Sequence, residues 1–122
     1  MQAENPDCDT VELYEAPIDA MSGATLRQYT DIGKWRSVHY LALGGLNHLP
    51  IDYFLQQHPL MKNVVLCFDR DEPGLRFTET VAQRLAERGF NVEKRLPAVG
   101  KDYNESLIWY KSKIEKQRGE RV

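Results

Sequence analysis

The feature of this sequence that most constrains its fold is a short apolar run followed at once by a cluster of acids. Residues 63–68 read NVVLCF, and residues 69–74 read DRDEPG. An uninterrupted apolar run that is β-branched at its centre is typical of a strand covered on both faces, as in the parallel sheets of α/β proteins. The polar segment that follows contains Gly74 and predicts a turn directly into a helix.

Strand-like runs and helical patterns alternate along the rest of the chain. Further strands are predicted at residues 11–14, 38–43 and 90–96, the last less apolar and therefore nearer an edge. Prolines suited to a first helical turn predict helices that begin near Pro17 and Pro50.

Two more helices are predicted from the spacing of apolar residues. One carries Phe77, Val81 and Leu85, and the last is capped by Asn104 or Ser106. The outer face of the last helix is a charge run that we interpret first as solvated and second as a phosphate-contacting surface: Lys111, Lys113, Lys116 and Arg118. The alternating order predicts an α/β fold with a mainly parallel four-stranded sheet flanked by helices.

Length and composition predict one ordinary globular domain. The chain has 122 residues and a net charge of −2, which argues against a free-standing, strongly basic nucleic-acid binder. We expect a polar lead-in over residues 1–10, a single domain over residues 11–118 and a tail over residues 119–122. No apolar run approaches the ~20 residues of a membrane span. The widely separated Cys8 and Cys67 do not suggest a zinc site or a disulfide framework, so we expect a cytoplasmic protein.

Acidic residues follow three of the four predicted strands. Glu15 ends the first strand, Asp69 and Asp71 follow the third, and Asp102 follows the fourth. Open α/β sheets place their functional groups outside the carboxyl ends of the strands, so these acids are expected to converge on one edge.

Asp69 and Asp71 are the first candidates for metal binding. Their side chains, two residues apart on an extended segment, point to the same side. Two adjacent carboxylates repel each other and need a proton, a cation or a metal, and hard oxygen ligands suit Mg²⁺. A simple polar turn after the strand remains the alternative.

The other candidates on this edge have weaker signals. Glu15 is either a metal ligand or general acid/base, or a helix-start carboxylate favoured by the helix dipole. Asp102 is either part of the site or a loop residue that leads to a helix cap. Phosphate or nucleic-acid contacts are predicted for Arg70, Lys101, Asp102, Gly44, Gly45 and Gly74.

Taken together, Glu15, the run FDRDEPG and the run GKDYNE resemble a TOPRIM domain, the catalytic fold shared by topoisomerases and primases. The likeness is greatest to the TOPRIM-like domains of bacterial primase- or relaxase-type proteins of mobile elements, where YEAPIDAMS and YLALGG have counterparts. It covers roughly residues 11–110. The sequence departs from the family pattern at two positions: Ala16 stands where many TOPRIM domains have glycine, and Pro73 where many have alanine. Neither difference removes a carboxylate.

The resemblance implies a magnesium-dependent domain of a nucleic-acid-processing protein, active in DNA replication or a related reaction. Asp69 and Asp71 would bind Mg²⁺, for which Mn²⁺ can substitute, and Gly74 matches the motif glycine. Glu15 would bind metal or act as general acid/base in phosphodiester or nucleotidyl transfer. The implied partners are nucleic acid, with DNA favoured, and other domains of a parent protein.

Two other functions remain open from the sequence. A receiver-type signalling domain also gathers acids at strand ends, but it needs its acidic pair after the first strand, whereas here the pair follows the third. A non-catalytic interaction module with a degenerate TOPRIM fold is the second alternative, and retention of all the acids argues against it.

Overall fold

The structure is a computed structural model that describes residues 8–30 and 38–120. The strands in these residues are β1 (Thr10–Tyr14), β2 (His39–Ala42), β3 (Asn63–Leu66) and β4 (Asn91–Lys94). The helices between and after them are α1 (Pro17–Thr30), α2 (Leu49–Gln57), α3 (Glu72–Glu87) and α4 (Tyr103–Glu120). Residues 1–7 of the predicted lead-in and residues 121–122 of the predicted tail lie outside the described part of the chain.

The strands form one sheet in the order β2-β1-β3-β4, and every pair is parallel. This confirms the predicted α/β fold with a four-stranded parallel sheet flanked by helices. The central strands β1 and β3 pair with Val11 opposite Val64 and Leu13 opposite Leu66. Their carboxyl ends therefore stop side by side, which places the residues that follow them at one edge.

Side chains alternate across β1 and divide the core into two layers. Val11 and Leu13 pack with buried residues of α2 and α3, including Ile51, Leu55 and Val81. Tyr14 faces the other way and packs with residues of α1 and α4: Ala20, Ala24 and Tyr103. Two helices thus cover each face of the sheet, and α1 and α4 also contact each other.

Strand β4 shows why an edge strand is hard to delimit from sequence. It pairs on one side only, through Asn91–Lys94, and most of its side chains are exposed. Its edge position confirms the prediction, although the strand is shorter than residues 90–96. The Phe90 amide donates to the Leu85 carbonyl at the end of α3, so this apolar residue belongs to the turn before the strand.

The start of α4 differs from the prediction, because neither Asn104 nor Ser106 caps it. Asp102 is the capping residue, and its Oδ1 accepts a hydrogen bond from the Glu105 amide at 2.9 Å. Ser106 is buried, and its hydroxyl donates to the Val99 carbonyl. Aspartate caps helices as well as asparagine or serine does, so the sequence offered three equivalent caps within five residues.

Among the described helices, none is long and apolar enough to cross a membrane.

Candidate functional site

Three aspartates converge at the carboxyl edge of the sheet. Asp19 lies in the first turn of α1, Asp69 follows β3, and Asp102 caps α4. Each offers a carboxylate oxygen, and these oxygens all lie within 4.8 Å of one another. Asp19 is buried, whereas Asp69 and Asp102 are half-buried, so this aspartate trio forms a shallow acidic site that solvent can reach.

Backbone hydrogen bonds hold the three segments together. The Arg70 amide donates to the Lys101 carbonyl at 2.5 Å, which places the loop before α4 beside the end of β3. The Asn104 amide donates to Asp19 Oδ1 at 3.3 Å, which joins the start of α4 to α1. The trio therefore depends on the packing of α4 against both α1 and β3.

Burial, together with the neighbouring carboxylates, raises the pKa values of two members of the trio. Burial raises the pKa of Asp69 to about 7, with further contributions from its hydrogen bond to Glu15 and from the charges of Glu15, Asp102 and Asp71. Burial and the charge of Asp102 raise the pKa of Asp19 to about 6, against the opposing effect of the Asn104 amide.

No arginine or lysine in the described residues forms an ion pair with the aspartate trio. The charge of Lys101 offsets part of the repulsion at Asp19, and the rest of the charge of the trio is left to protons or to a bound cation. Carboxylate oxygens are the ligands that Mg²⁺ and similar hard cations prefer, so the donor set fits a divalent metal ion.

Glu15 lies directly beside the trio. One of its carboxylate oxygens, Oε2, is 3.4 Å from the Asp69 amide that donates to it. Its carbonyl accepts from the amides of Gly44 and Gly45 at 3.0 and 3.1 Å. Both glycines have positive φ, 72° and 139°, and no atom lies near where their side chains would start. They turn the chain after β2 and fix the backbone of Glu15.

Asp71 has a structural role at the start of α3. It is the N-cap residue, and its Oδ1 accepts from the Gly74 amide at 2.8 Å. Its charge still contributes to the raised pKa of Asp69. Metal binding by Asp71 stays a prediction.

Gly74 allows α3 to begin directly against the end of β3. A Cβ at this position would lie 2.2 Å from the Asp69 carbonyl oxygen, closer than atoms can approach. The motif glycine therefore sets the position of Asp69 by close packing.

Arg70 and Lys101 are exposed cations on the same edge. Their backbones hydrogen-bond to each other, and the Lys101 amide also donates to Glu105 Oε2 at 2.6 Å. Phosphate contact by these two side chains stays a prediction that this arrangement permits.

Asp19 is not among the site residues predicted from the sequence. The available signal was its spacing, because it follows Glu15 by four residues and lies in the first turn of a helix that a proline starts directly after a strand. Such a residue faces the same edge as the end of its strand.

Glu12 is a second residue that the sequence-based prediction does not include. It is a charged residue in the central strand β1 and is only 1% exposed. Its carboxylate forms ion pairs with Arg27 and, at 3.3 Å, with Arg95, and it accepts a hydrogen bond from the Tyr14 hydroxyl at 2.7 Å. A charged residue in the middle of a buried strand was the signal. The buried ion cluster fixes α1 and the segment after β4 to the sheet.

Comparisons with known proteins identify a family and a similar fold. A protein-family model described as Toprim-like matches residues 12–107. A solved structure of a protein from Aquifex aeolicus matches with a TM-score of 0.50 and 19% identity, over 89% of this chain and 81% of that one. At that identity the likeness concerns the fold alone. No curated protein matches the chain.

Proposed function

The chain belongs to the Toprim-like family, and from this premise we propose that it is a magnesium-dependent catalytic domain that acts on phosphodiester bonds of nucleic acid or on nucleotide phosphates. Toprim domains are typically modules of nucleic-acid-processing proteins. The observation that supports the proposal is the aspartate trio at the carboxyl edge of the sheet, where no cation of the described residues pairs with it.

Asp19, Asp69 and Asp102 would hold the metal, with Asp71 as a further candidate ligand. When bound, Mg²⁺ neutralises charge on the reacting phosphate and on the leaving oxygen. The raised pKa values of Asp69 and Asp19 support this assignment, because burial and the neighbouring carboxylates disfavour their ionised forms and a bound cation would favour them.

Glu15 is the proposed general acid/base. Its carboxylate accepts a hydrogen bond from the Asp69 amide beside the aspartate trio, and this position supports the assignment, because a general acid/base has to lie close to the reacting phosphate. Arg70 and Lys101 would contact the substrate phosphates. With a net charge of −2, the domain would take most of its nucleic-acid affinity from neighbouring domains of a parent protein.

Titration calorimetry with Mn²⁺ tests the metal site. We expect Asp19→Asn, Asp69→Asn and Asp102→Asn each to weaken binding about tenfold or more, as the loss of a charged ligand does. Glu87→Gln is the matched control, since it removes one carboxylate at the far end of α3 and should leave the affinity unchanged. Equal Mn²⁺ affinity in all four variants would show that the trio is not the metal site.

Catalysis is tested separately with single-stranded DNA and RNA in the presence of Mg²⁺ or Mn²⁺. The Glu15→Gln variant should keep its Mn²⁺ affinity and lose cleavage or nucleotide transfer, because it retains the shape of the side chain and loses the titrating group. Metal binding without any metal-dependent turnover, in the full parent protein, would instead support a non-catalytic interaction module.

A receiver-type phosphoacceptor domain is the second candidate function, and the strand order is the observation that supports it. The order β2-β1-β3-β4 is also the start of the doubly wound order found in receivers, and Asp69 follows β3. Incubation with acetyl phosphate and mass spectrometry distinguishes the two. A stable aspartyl phosphate at Asp69 would support the receiver function, whereas an unmodified protein supports the proposal above.

A further inference from the structure

A cavity lies away from the acidic edge, between α4 and the segment that connects β4 to α4. Its volume is about 280 Å³, and most of its surface is apolar or aromatic. The lining includes Leu96, Ala98, Val99, Tyr103, Trp109 and Tyr110. Arg95 also contributes to the wall and is the one charged residue of the lining.

The walls of this cavity are held in place by hydrogen bonds. The Tyr103 hydroxyl donates to the Arg95 carbonyl at 2.6 Å, and the Ser106 hydroxyl donates to the Val99 carbonyl. Both bonds tie α4 to the segment opposite. The cavity is therefore a built feature of the fold, which a ligand can enter without separating the two elements.

Trp109 gives the cavity an exposed aromatic surface. The residue is 45% exposed, and the Lys113 ammonium lies 5.4 Å from the centre of its ring. Lys111 and Lys116 are exposed on the same helix. Trp109 follows Asp102 by seven residues, which corresponds to about 10 Å along a helix axis.

We propose that this cavity receives an unpaired base of single-stranded nucleic acid, which stacks on Trp109. This inference rests on the proposed function. Single-strand sites combine aromatic side chains, on which bases stack, with cations that follow the backbone. Lys113 and Lys116 follow Trp109 by four and seven residues and therefore lie on its side of α4, where they supply such cations. This charge favours a polyanion over an apolar peptide. A strand held here would run along α4 to the aspartate trio.

Fluorescence anisotropy with a labelled short oligothymidylate tests the inference, with chelator present so that the metal site plays no part. An abasic oligomer of equal length carries the same phosphates without bases and should bind about tenfold more weakly, because base stacking is lost. In the Trp35→Phe variant, Trp109 is the remaining tryptophan, and oligothymidylate should quench its emission.

Trp109→Ala should lower the affinity for oligothymidylate about tenfold and abolish the preference over the abasic oligomer, whereas Trp109→Phe should keep it. Ile108→Ala is the control, since it shortens the neighbouring exposed apolar residue, which is 60% exposed. Circular dichroism checks that each variant folds. Equal binding of the two oligomers by the wild-type protein, or binding of an apolar peptide alone, would overturn the inference.

The test separates this inference from the proposed catalytic function. Asp69→Asn should lose Mn²⁺ and retain the quenching of Trp109, because the cavity and the acidic edge share no side chain. A protein that binds Mn²⁺ at the trio and shows no preference for bases refutes the base-binding site alone. Preference for bases without Mn²⁺ binding refutes the metal site alone.

Discussion

At the scale of single residues, Asp69 and Asp19 are held at a cost to the metal-free protein. Asp19 is buried, Asp69 is half-buried, and both have other carboxylates nearby, which raises their pKa values above the ordinary value of 3.8. Raised carboxyl pKa values are common at functional sites, where charge is arranged for a ligand and not for stability. The same two residues therefore predict a pH dependence that most surface aspartates would not produce.

Without metal, the protein should lose stability as the pH rises. The unfolded chain ionises these carboxyls near pH 4, whereas the folded chain keeps the protons until about pH 6 for Asp19 and about pH 7 for Asp69. The folded state therefore binds more protons in this window, so the contribution to the free energy of unfolding is full below about pH 4 and is lost as the pH rises through 6 and 7. Urea unfolding in chelator across this range measures the effect.

The double variant Asp19→Asn/Asp69→Asn is the control, because it removes both titrating groups and keeps their shape. Its stability should fall less steeply with pH than that of the wild type. Saturating Mn²⁺ should reverse the wild-type trend, since the ionised carboxylates bind the metal. Parallel pH profiles for the two proteins in chelator would contradict the assignment.

Asp71 allows the structural and metal-binding roles to be separated by two substitutions. Asp71→Ala removes the cap on the Gly74 amide and should destabilise the metal-free protein by about 1 kcal/mol. Asp71→Asn keeps a capping oxygen and should stay within about 0.5 kcal/mol of wild type. Thermal melts in chelator measure both, and an Mn²⁺-induced shift that shrinks in Asp71→Asn would identify the carboxylate as a ligand as well as a cap.

At the scale of elements, local sequence patterns predict the strands and helices, but they predict only part of the site. The apolar run at residues 63–68 and the prolines at the starts of α1 and α2 identify their elements because burial and capping act locally. The trio depends on α4 packing against α1, and no local pattern in either helix encodes that contact. Asp19 was missed for this reason, while Asp69 was found from its strand alone.

The ion cluster around Glu12 is the clearest example of an element contact that the sequence conceals. The carboxylate is buried and joins β1 to Arg27 of α1 and to Arg95 beyond β4. Removal of the Glu12 charge leaves the two arginines without their partner, but the Arg27 side chain is 15% exposed and that of Arg95 is 41% exposed, so water compensates part of the loss. Glu12→Gln should therefore destabilise the protein by roughly 1–3 kcal/mol. Urea unfolding at neutral pH measures the loss.

A second variant checks that the loss comes from the uncompensated arginines. Glu12→Leu combined with Arg27→Met replaces one ion pair by apolar groups of similar size and should recover part of the stability lost in Glu12→Gln. If the double variant is less stable than Glu12→Gln, then packing around the cluster, and not charge, determines the effect.

At the scale of the whole molecule, the all-parallel sheet explains why acids that are distant in sequence meet. Every strand ends at the same edge, and each is followed by a segment that contributes to that edge: Glu15 and Asp19, Gly44 and Gly45, Asp69 and Asp71, and Lys101 and Asp102. This arrangement could be anticipated from the alternation of strands and helices. The segment after β4 differs from the other three, because β4 is a short edge strand and a longer connection joins it to the site.

The long sequence separation of Asp102 from Asp19 has a kinetic consequence. The trio is complete only when α4 packs against α1, a contact between elements far apart in sequence. If this contact forms after the folding transition state, metal acts on the native state alone. At ~100 times its dissociation constant, Mn²⁺ should then slow unfolding about 100-fold and leave the folding rate nearly unchanged, as stopped-flow measurements in urea would show. An equal acceleration of folding would place the assembly of the site in the folding nucleus.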